Sequence, residues 1–463
     1  MSELIVYSAI FLPLFAGLLG FILPESWSRP RYFLGSILLE LALMMGVLGS
    51  FNRLALDPIH LAPFSSQLFA ADGLSLLMAM TAVAVYLIIG LLELGSTTPR
   101  SNWYYFWLLM IQSALMALFF SFNTIAFYVS WELCVIPGIF LFYGWGSGNT
   151  RQVGMRLLIV SFIGSLSFLA GLALLLLGQD LPWAMAGFLL AFILKTPLVP
   201  FHRWQPDIYV QSDANTSIVY AALLSKMGVF GVARLMFSYF PQLPLWVVGA
   251  VSMMGLLSLL YAASVAFAQT DYKRLIAYSS LSHMGLIFLA FYTRNIVGLQ
   301  GGIFQIVVHA IGTAGLFALG EILRRRTGTL SLDSLGGIRA LSPVLSGVFA
   351  VVILGTIGLP LTGGFIGEFL MLTGLIKFNF LLAILATLSL VLGAGYWLKA
   401  FARMMLGPVS VTPFGGFVFS RAESVLMGLL VIGTIGLGIF PQPILNLTEV
   451  FSATSIIVGF CPW

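Results

Sequence analysis

The chain has 463 residues, of which 60% are hydrophobic and only 8% charged, so polar side chains are too few to cover the surface of a water-soluble globule. Its net charge of +5 comes from 21 Lys and Arg spread thinly, with no basic run longer than Arg324, Arg325 and Arg326, and nucleic acid is not implied as a partner. The two cysteines, Cys134 and Cys461, are too few and too scattered for a disulfide framework, and no spacing for zinc, haem or an iron–sulfur cluster is present, so no cofactor is expected.

Apolar residues come in runs of about 20, the length a helix needs to cross roughly 30 Å of hydrocarbon, and the alternation of a barrel is absent. The expected fold is all-α and multi-pass, with the lipid bilayer as solvent. The first run, Leu4 to Leu23, lacks a basic start and a small-residue cleavage signature and reads as a retained span. Five more spans are expected near 32–51, 75–95, 103–121, 124–145 and 157–178. Further runs fall near 185–205, 216–239, 245–268, 275–292, 300–323, 343–377, 380–406 and 424–440, with a weaker apolar tail after 443. That makes about 14 crossings.

Loop charge orients them. Arg29, Arg31, Arg100, Arg151 and Arg156 lie in loops after the first, third and fifth spans, against Arg53 alone after the second, fourth and sixth. The positive-inside rule then puts the N-terminus outside, and Lys273, Arg274 and the arginine triplet inside.

Two runs are interrupted. "KTPLVPF" breaks the run at 185–205, and "GLPLTGGF", Gly358 to Phe365, breaks the overlong run at 343–377. Each should be a discontinuous helix, and each break lies beside an ionisable residue: Lys195 just before the first, Glu368 just after the second. Paired broken helices in corresponding positions signal a transporter built from inverted repeats.

Only five lysines occur, yet Lys195 and Lys226 fall within expected spans, as do Glu132, Glu368, His283 and His309. Any one could be structural: a lysine can snorkel, a histidine can bond a neighbouring helix, and a glutamate can be a neutral acid. Six together point to use. Proton transfer needs groups that gain and lose a proton cheaply; a Glu and a Lys that approach each other restore both charges, and when separated drift toward neutrality. Histidine suits the relay between them, and a broken helix adds free backbone groups and room for water at membrane depth. Less weight falls on Glu40, which has no evident partner, and on Lys399 and Lys377, which sit near helix ends. Asp207 and Asp213 are expected to fix the loop after the first break.

These residues sit in "FYVSWELCVIPGIFLFYGWG", "FILKTPLVPFHRWQPD", "LLSKMGVFGVARL", "QTDYKRLIAYSSLSHMGLIF", "QIVVHAIGTAGLF" and "LPLTGGFIGEFLML". In order, spacing and content they resemble the antiporter-like membrane subunits of respiratory complex I, the M (chain 4) type in particular, across about residues 100–405. The resemblance implies two inverted five-helix repeats, 103–240 and 241–406, flanked by three N-terminal helices in 1–102 and a C-terminal helix and tail in 407–463. It implies Glu132 and Lys195 as a coupling pair, Lys226 as the central lysine, His283 and His309 as relay positions and Glu368 as the terminal carboxylate of a proton path. Sister chains often have lysine at that last position. After "QPD" the segment "IYVQSDANTS" departs from the M-type pattern, and "PDIYV" is similar to the N type.

The implied function is proton translocation driven by redox chemistry in other subunits, with no redox catalysis and no cofactor in this chain. Its partners would be other membrane subunits, sister antiporter-like chains among them, in an energy-transducing membrane such as the prokaryotic inner membrane. The same fold serves membrane-bound hydrogenases and multisubunit sodium/proton antiporters, so protons or sodium stay open, and a stand-alone solute transporter is a third reading.

Overall fold

The computed structural model describes residues 2–24, 28–51, 67–96, 100–178, 181–293, 295–410 and 416–449. Arg53, Cys461 and most of the apolar tail lie outside the described residues. In chain order the first helices are α1 (Ser2–Leu19), α2 (Arg29–Phe51), α3 (Gly73–Leu94), α4 (Asn102–Phe119), α5 (Thr124–Trp145), α6 (Thr150–Leu176) and α7 (Leu181–Lys195). They are followed by α8 (Trp204–Gln211), α9 (Ala214–Ala222), α10 (Met227–Gly231) and α11 (Phe237–Tyr239). Then come α12 (Leu245–Phe267), α13 (Tyr272–Phe291), α14 (Ile296–Thr327), α15 (Ile338–Leu341), α16 (Pro343–Thr356), α17 (Gly363–Phe378), α18 (Phe380–Met405) and α19 (Arg421–Ile439). Among the described residues there is no strand; isolated bridges join Phe69 to Ser121 and Asp271 to Ser331. Ten described helices are long and apolar enough to cross a membrane, and α1, α7 and α16 contribute shorter apolar segments.

Short polar residues start these helices. The side chains of Asp72, Asn123, Asn149, Asp271, Asn295, Ser342 and Asn379 each accept a backbone N–H from the first turn they cap. At α19, Ser420 and Glu423 form a reciprocal capping box. Such caps matter more in a bilayer, where water cannot satisfy a free N–H.

The core centres on α14, whose 32 residues would span about 48 Å at 1.5 Å per residue. It packs against α3, α9, α13, α16, α17 and α19. By contrast α5 and α6 turn Val129, Leu133, Phe140, Ile159, Phe162 and Leu166 outward, a lipid-facing surface in a bilayer.

Both expected interruptions are present. Helix α7 stops at Lys195, and the chain passes through a cis Val199–Pro200 peptide before α8 begins. Helix α16 stops at Thr356, and α17 starts at Gly363. Gly358 turns the chain with φ +70°, and a Cβ there would lie 2.1 Å from Glu368 Oε2, so no larger residue fits without moving that carboxyl.

The expected span at 216–239 is present as one apolar segment, Ala214–Tyr239, but its helix is irregular, a third interruption. After α9 a 3-10 turn, Leu224–Lys226, leads into α10, and a π-type turn, Val232–Met236, precedes α11. No proline marks it, and periodicity could not reveal it. The cause is packing. A Cβ on Gly228 would meet the Phe192 carbonyl at 2.6 Å and the Thr196 amide nitrogen at 2.8 Å, so the backbone carrying Lys226 lies directly against the end of α7.

Charged side chains expected inside gather at one end of the bundle. Asp207 pairs with Arg156 and, at 3.6 Å, with Arg274. Asp213 accepts from Tyr104 and lies 3.5 Å from Arg100, so both aspartates fix the loop around the first break. Lys273 Nζ donates to the Ser212 carbonyl at 2.7 Å. Arg326 meets Glu423 at 2.7 and 3.1 Å. Glu40 has a partner after all: Gln112 on α4 donates to its buried carboxyl.

Candidate functional site

Lys195 is the last residue of α7, and the carbonyls of the turn before it are taken by the Thr196 amide on Phe192 at 2.8 Å, the Leu198 amide on Ile193 at 3.3 Å and the Trp204 indole N–H on Leu194 at 3.3 Å. Its amine sits 5.4 Å from the Trp131 ring centroid on α5, and a small cavity lined by Trp131, Ser161, Gly164, Leu194, Lys195 and Trp204 opens beside it. Glu132 follows Trp131 on α5 and is half-buried, with Oε1 shielded and lacking a hydrogen-bond partner. Among the described residues no ion pair joins Glu132 to Lys195 within 4.0 Å, although the two interact electrostatically. The carboxylate and amine are near each other and not locked.

Lys226 is 1% exposed. Its Nζ donates to the Ala221 carbonyl and, at 3.2 Å, to Ser225 Oγ. The first acceptor belongs to the end of α9, where the helix stops at Ala222 and its last carbonyls are left to side-chain donors, and the second to the 3-10 turn that follows. No carboxylate lies within ion-pair distance of Lys226 among the described residues, so partial charges hold it where a salt bridge would otherwise be required.

His283 on α13 and His309 on α14 stack with ring centroids 5.1 Å apart, and both feel the charge of Lys226. His309 Nδ1 lies 3.2 Å from Thr313 Oγ1. His283 Nδ1 is 3.9 Å from Glu368 Oε1, too far for a hydrogen bond and close enough for a small side-chain shift or one bridging water to close. Two cavities flank this point. The larger, about 20 Å³, is lined by His283, Gln305, His309, Thr313, Thr356 and Thr434 among others. The smaller, about 10 Å³, touches Ser282, His283, Glu368, Ser389, Tyr396 and Trp397. Each approaches or exceeds the space of one water.

Four buried polar atoms without hydrogen-bond partners converge here: His283 Nδ1, His309 Nε2, Gln305 Oε1 and Glu368 Oε1. Native proteins keep few such atoms, so a cluster calls for a functional reason. Thus His283, His309 and Glu368 come together, with Lys226 within electrostatic reach. Lys195 and Glu132 form a separate half of the site, joined to Lys226 through the backbone contact at Gly228.

Gln305, Thr313 and Ser282 belong to this site and carried no signal as isolated neutral residues. Gln305 was accessible in principle, because it sits one helical turn before His309 on the same face of α14. No group of three or more metal-ligating side chains occurs among the described residues.

Residues 178–393 match the transmembrane family NADH:quinone oxidoreductase/Mrp antiporter. The chain is 32% identical over 373 residues to NADH-quinone oxidoreductase subunit M of Rickettsia prowazekii, covering 76% of this chain and 75% of that one. It is 31% identical to the Pseudomonas aeruginosa subunit M, covering 82% and 80%. A chain of respiratory complex I from Thermus thermophilus superposes with a TM-score of 0.87 at 28% identity, covering 98% of this chain and all of that one. A chain of the Mrp complex from Dietzia has the same fold, with a TM-score of 0.84 at 18% identity over 97% of both chains. The chain therefore belongs to the NADH:quinone oxidoreductase/Mrp antiporter family of membrane subunits.

Proposed function

We propose that this chain is a proton-translocating subunit of a complex I-type respiratory complex, moving protons through Glu132, Lys195, Lys226, His283, His309 and Glu368 while redox chemistry in other subunits supplies the energy. The observation that carries this reading is the row of buried ionisable groups at three helix interruptions, ending at cavities edged by unpartnered polar atoms. Relatives above 30% identity named as subunit M of NADH-quinone oxidoreductase support complex I as the parent. The likeness to the Mrp complex extends to the fold alone. Residues 103–240 and 241–406 act as the two repeats, and other membrane subunits, sister chains included, complete the assembly.

Each group has a distinct task. When Glu132 moves toward Lys195 it stabilises the ammonium, and when it withdraws the proton is released. Lys226 receives charge held only by carbonyl and hydroxyl dipoles, so a change at Lys195 is felt there without a strong ion pair to overcome. The stacked imidazoles pass the proton on, and Glu368 takes it across the gap at His283. Substituting Lys226 by Met in the assembled complex tests this in membrane vesicles free of sodium. Quinone reduction should persist while proton uptake per electron falls. A wild-type ratio would overturn the path, and a ratio that depends on added sodium would point to the cation antiporter alternative.

A further inference from the structure

The end of α9 holds a second donor besides Lys226. Tyr209 on α8 is fully buried, and its hydroxyl donates to the Tyr220 carbonyl at 3.2 Å while accepting from Gln205 Nε2 at 2.9 Å. The next carbonyl, that of Ala221, takes Lys226 Nζ together with Ser225 Oγ at 2.9 Å. Ser225 also lies within interaction range of the phenol. Adjacent carbonyls at the negative end of one short helix are thus divided between a neutral phenol and a titratable amine. We propose that Tyr209 is a positioning residue for proton transfer: by capping the Tyr220 carbonyl it limits how firmly α9 holds the Lys226 ammonium, and Gln205 keeps the phenol aimed.

The argument rests on the reading of Lys226 as a proton carrier. The sign follows from the hydrogen bond. A Tyr209 proton on the Tyr220 carbonyl neutralises part of the negative charge that accumulates where α9 ends. Without it that carbonyl is uncompensated, the ammonium form of Lys226 gains, and release of the proton is delayed to higher pH. Other charges around the turn do not substitute for the phenol. His283 and His309 feel Lys226 from the far side. Lys195 ends α7, which packs against the same turn, and a second cation there opposes the ammonium. Glu93 on α3 is engaged at the opposite end of α9 by Asn215 at 2.7 Å. From α5, Glu132 and Cys134 interact with Lys195, and the Tyr220 hydroxyl faces Gly138.

The test is Tyr209→Phe in the assembled complex, with proton uptake per electron measured across pH and Lys226→Met measured beside it. The expected result is near-normal turnover with the alkaline limb of translocation moved up by roughly half a pH unit, the range of a helix-end charge interaction. Gln205→Leu, which keeps the tyrosine and loosens its aim, should move the limb in the same direction by less. It also serves as the readout should Tyr209→Phe fail to assemble. An unmoved or lowered limb overturns the role of Tyr209 when Lys226→Met still abolishes translocation. If Lys226→Met translocates normally, the reading of Lys226 falls first and the role of Tyr209 with it.

Discussion

Replacing Gly358 by Ala tests how Glu368 is seated. Two costs arise at once. The backbone at φ +70° disfavours any residue with a Cβ by about 1–2 kcal/mol, an amount a large helical bundle tolerates. The new methyl would also lie 2.1 Å from Glu368 Oε2 and 2.9 Å from its Cδ, whereas carbon and oxygen do not approach much closer than about 3.3 Å even in favourable contacts. Because the obstructing atoms are the far end of a flexible side chain, the carboxyl yields, moving by about 1 Å or more. Its present separation from His283 is 3.9 Å, so the displacement is comparable to the adjustment that transfer across this gap requires. A misplacement of about 1 Å at a reacting group can cost on the order of 100-fold in rate. The complex should assemble, reduce quinone and lose most proton uptake in reconstituted vesicles. Gly347→Ala in α16, where nothing lies within 4 Å of the added carbon, controls for helix effects and should be silent. A Gly358→Ala complex that translocates at the wild-type ratio would show that the position of this carboxyl does not limit transfer.

Two further outcomes follow from the charge layout. Glu132→Gln should assemble and uncouple turnover from translocation, with Glu132→Asp milder because it retains the charge; equal ratios for wild type, Gln and Asp in proteoliposomes would make the carboxylate structural. Glu423→Ala leaves the buried Arg326 guanidinium, now paired at 2.7 and 3.1 Å, without its counter-ion and removes the α19 capping box. A loss of about 3–5 kcal/mol is expected, read as a lowered melting temperature in detergent that Arg326→Met in the same chain partly restores. A single variant as stable as wild type refutes the assignment of this pair to stability.

Much of this architecture is encoded locally. Span lengths follow from bilayer thickness, and the breaks at Pro197 and Gly358 are punctuated by residues that end helices for covalent reasons. The break before Lys226 is not, because it depends on Gly228 meeting the backbone of α7, a contact between segments that no window of sequence contains. The same limit applied to Glu40, whose partner Gln112 is 72 positions away, and to Tyr209, an aromatic residue in an apolar chain until the end of α9 is seen beside it. The ionisable residues themselves were conspicuous, since charge inside a hydrophobic run is costly whatever it touches. Their grouping was not. Nothing in the spacing of Glu132 and Lys195 foretold that no ion pair within 4.0 Å joins them, or that His283 faces Glu368 across 3.9 Å.

The three interruptions share an electrostatic pattern. Lys195 ends α7, and Lys226 lies just past the end of α9, where its amine donates to the Ala221 carbonyl at the negative end of the helix. Glu368 belongs to the second turn of α17, but its side chain leans back toward the start, as helical side chains do, and Oε2 rests against Gly358 in the break, at the positive end. The Lys226 amine sits at a C-terminal end and the Glu368 carboxyl at an N-terminal one. A helix end offers roughly half an elementary charge, enough to lower the cost of an ion in hydrocarbon and too little to fix it in place. The Arg326–Glu423 pair shows the alternative, two side chains in bidentate contact that hold a helix in place. Dividing a span into two half-helices therefore supplies what a proton carrier needs and an ion pair denies: a charged state that is affordable, and a neutral state that is close to it in free energy.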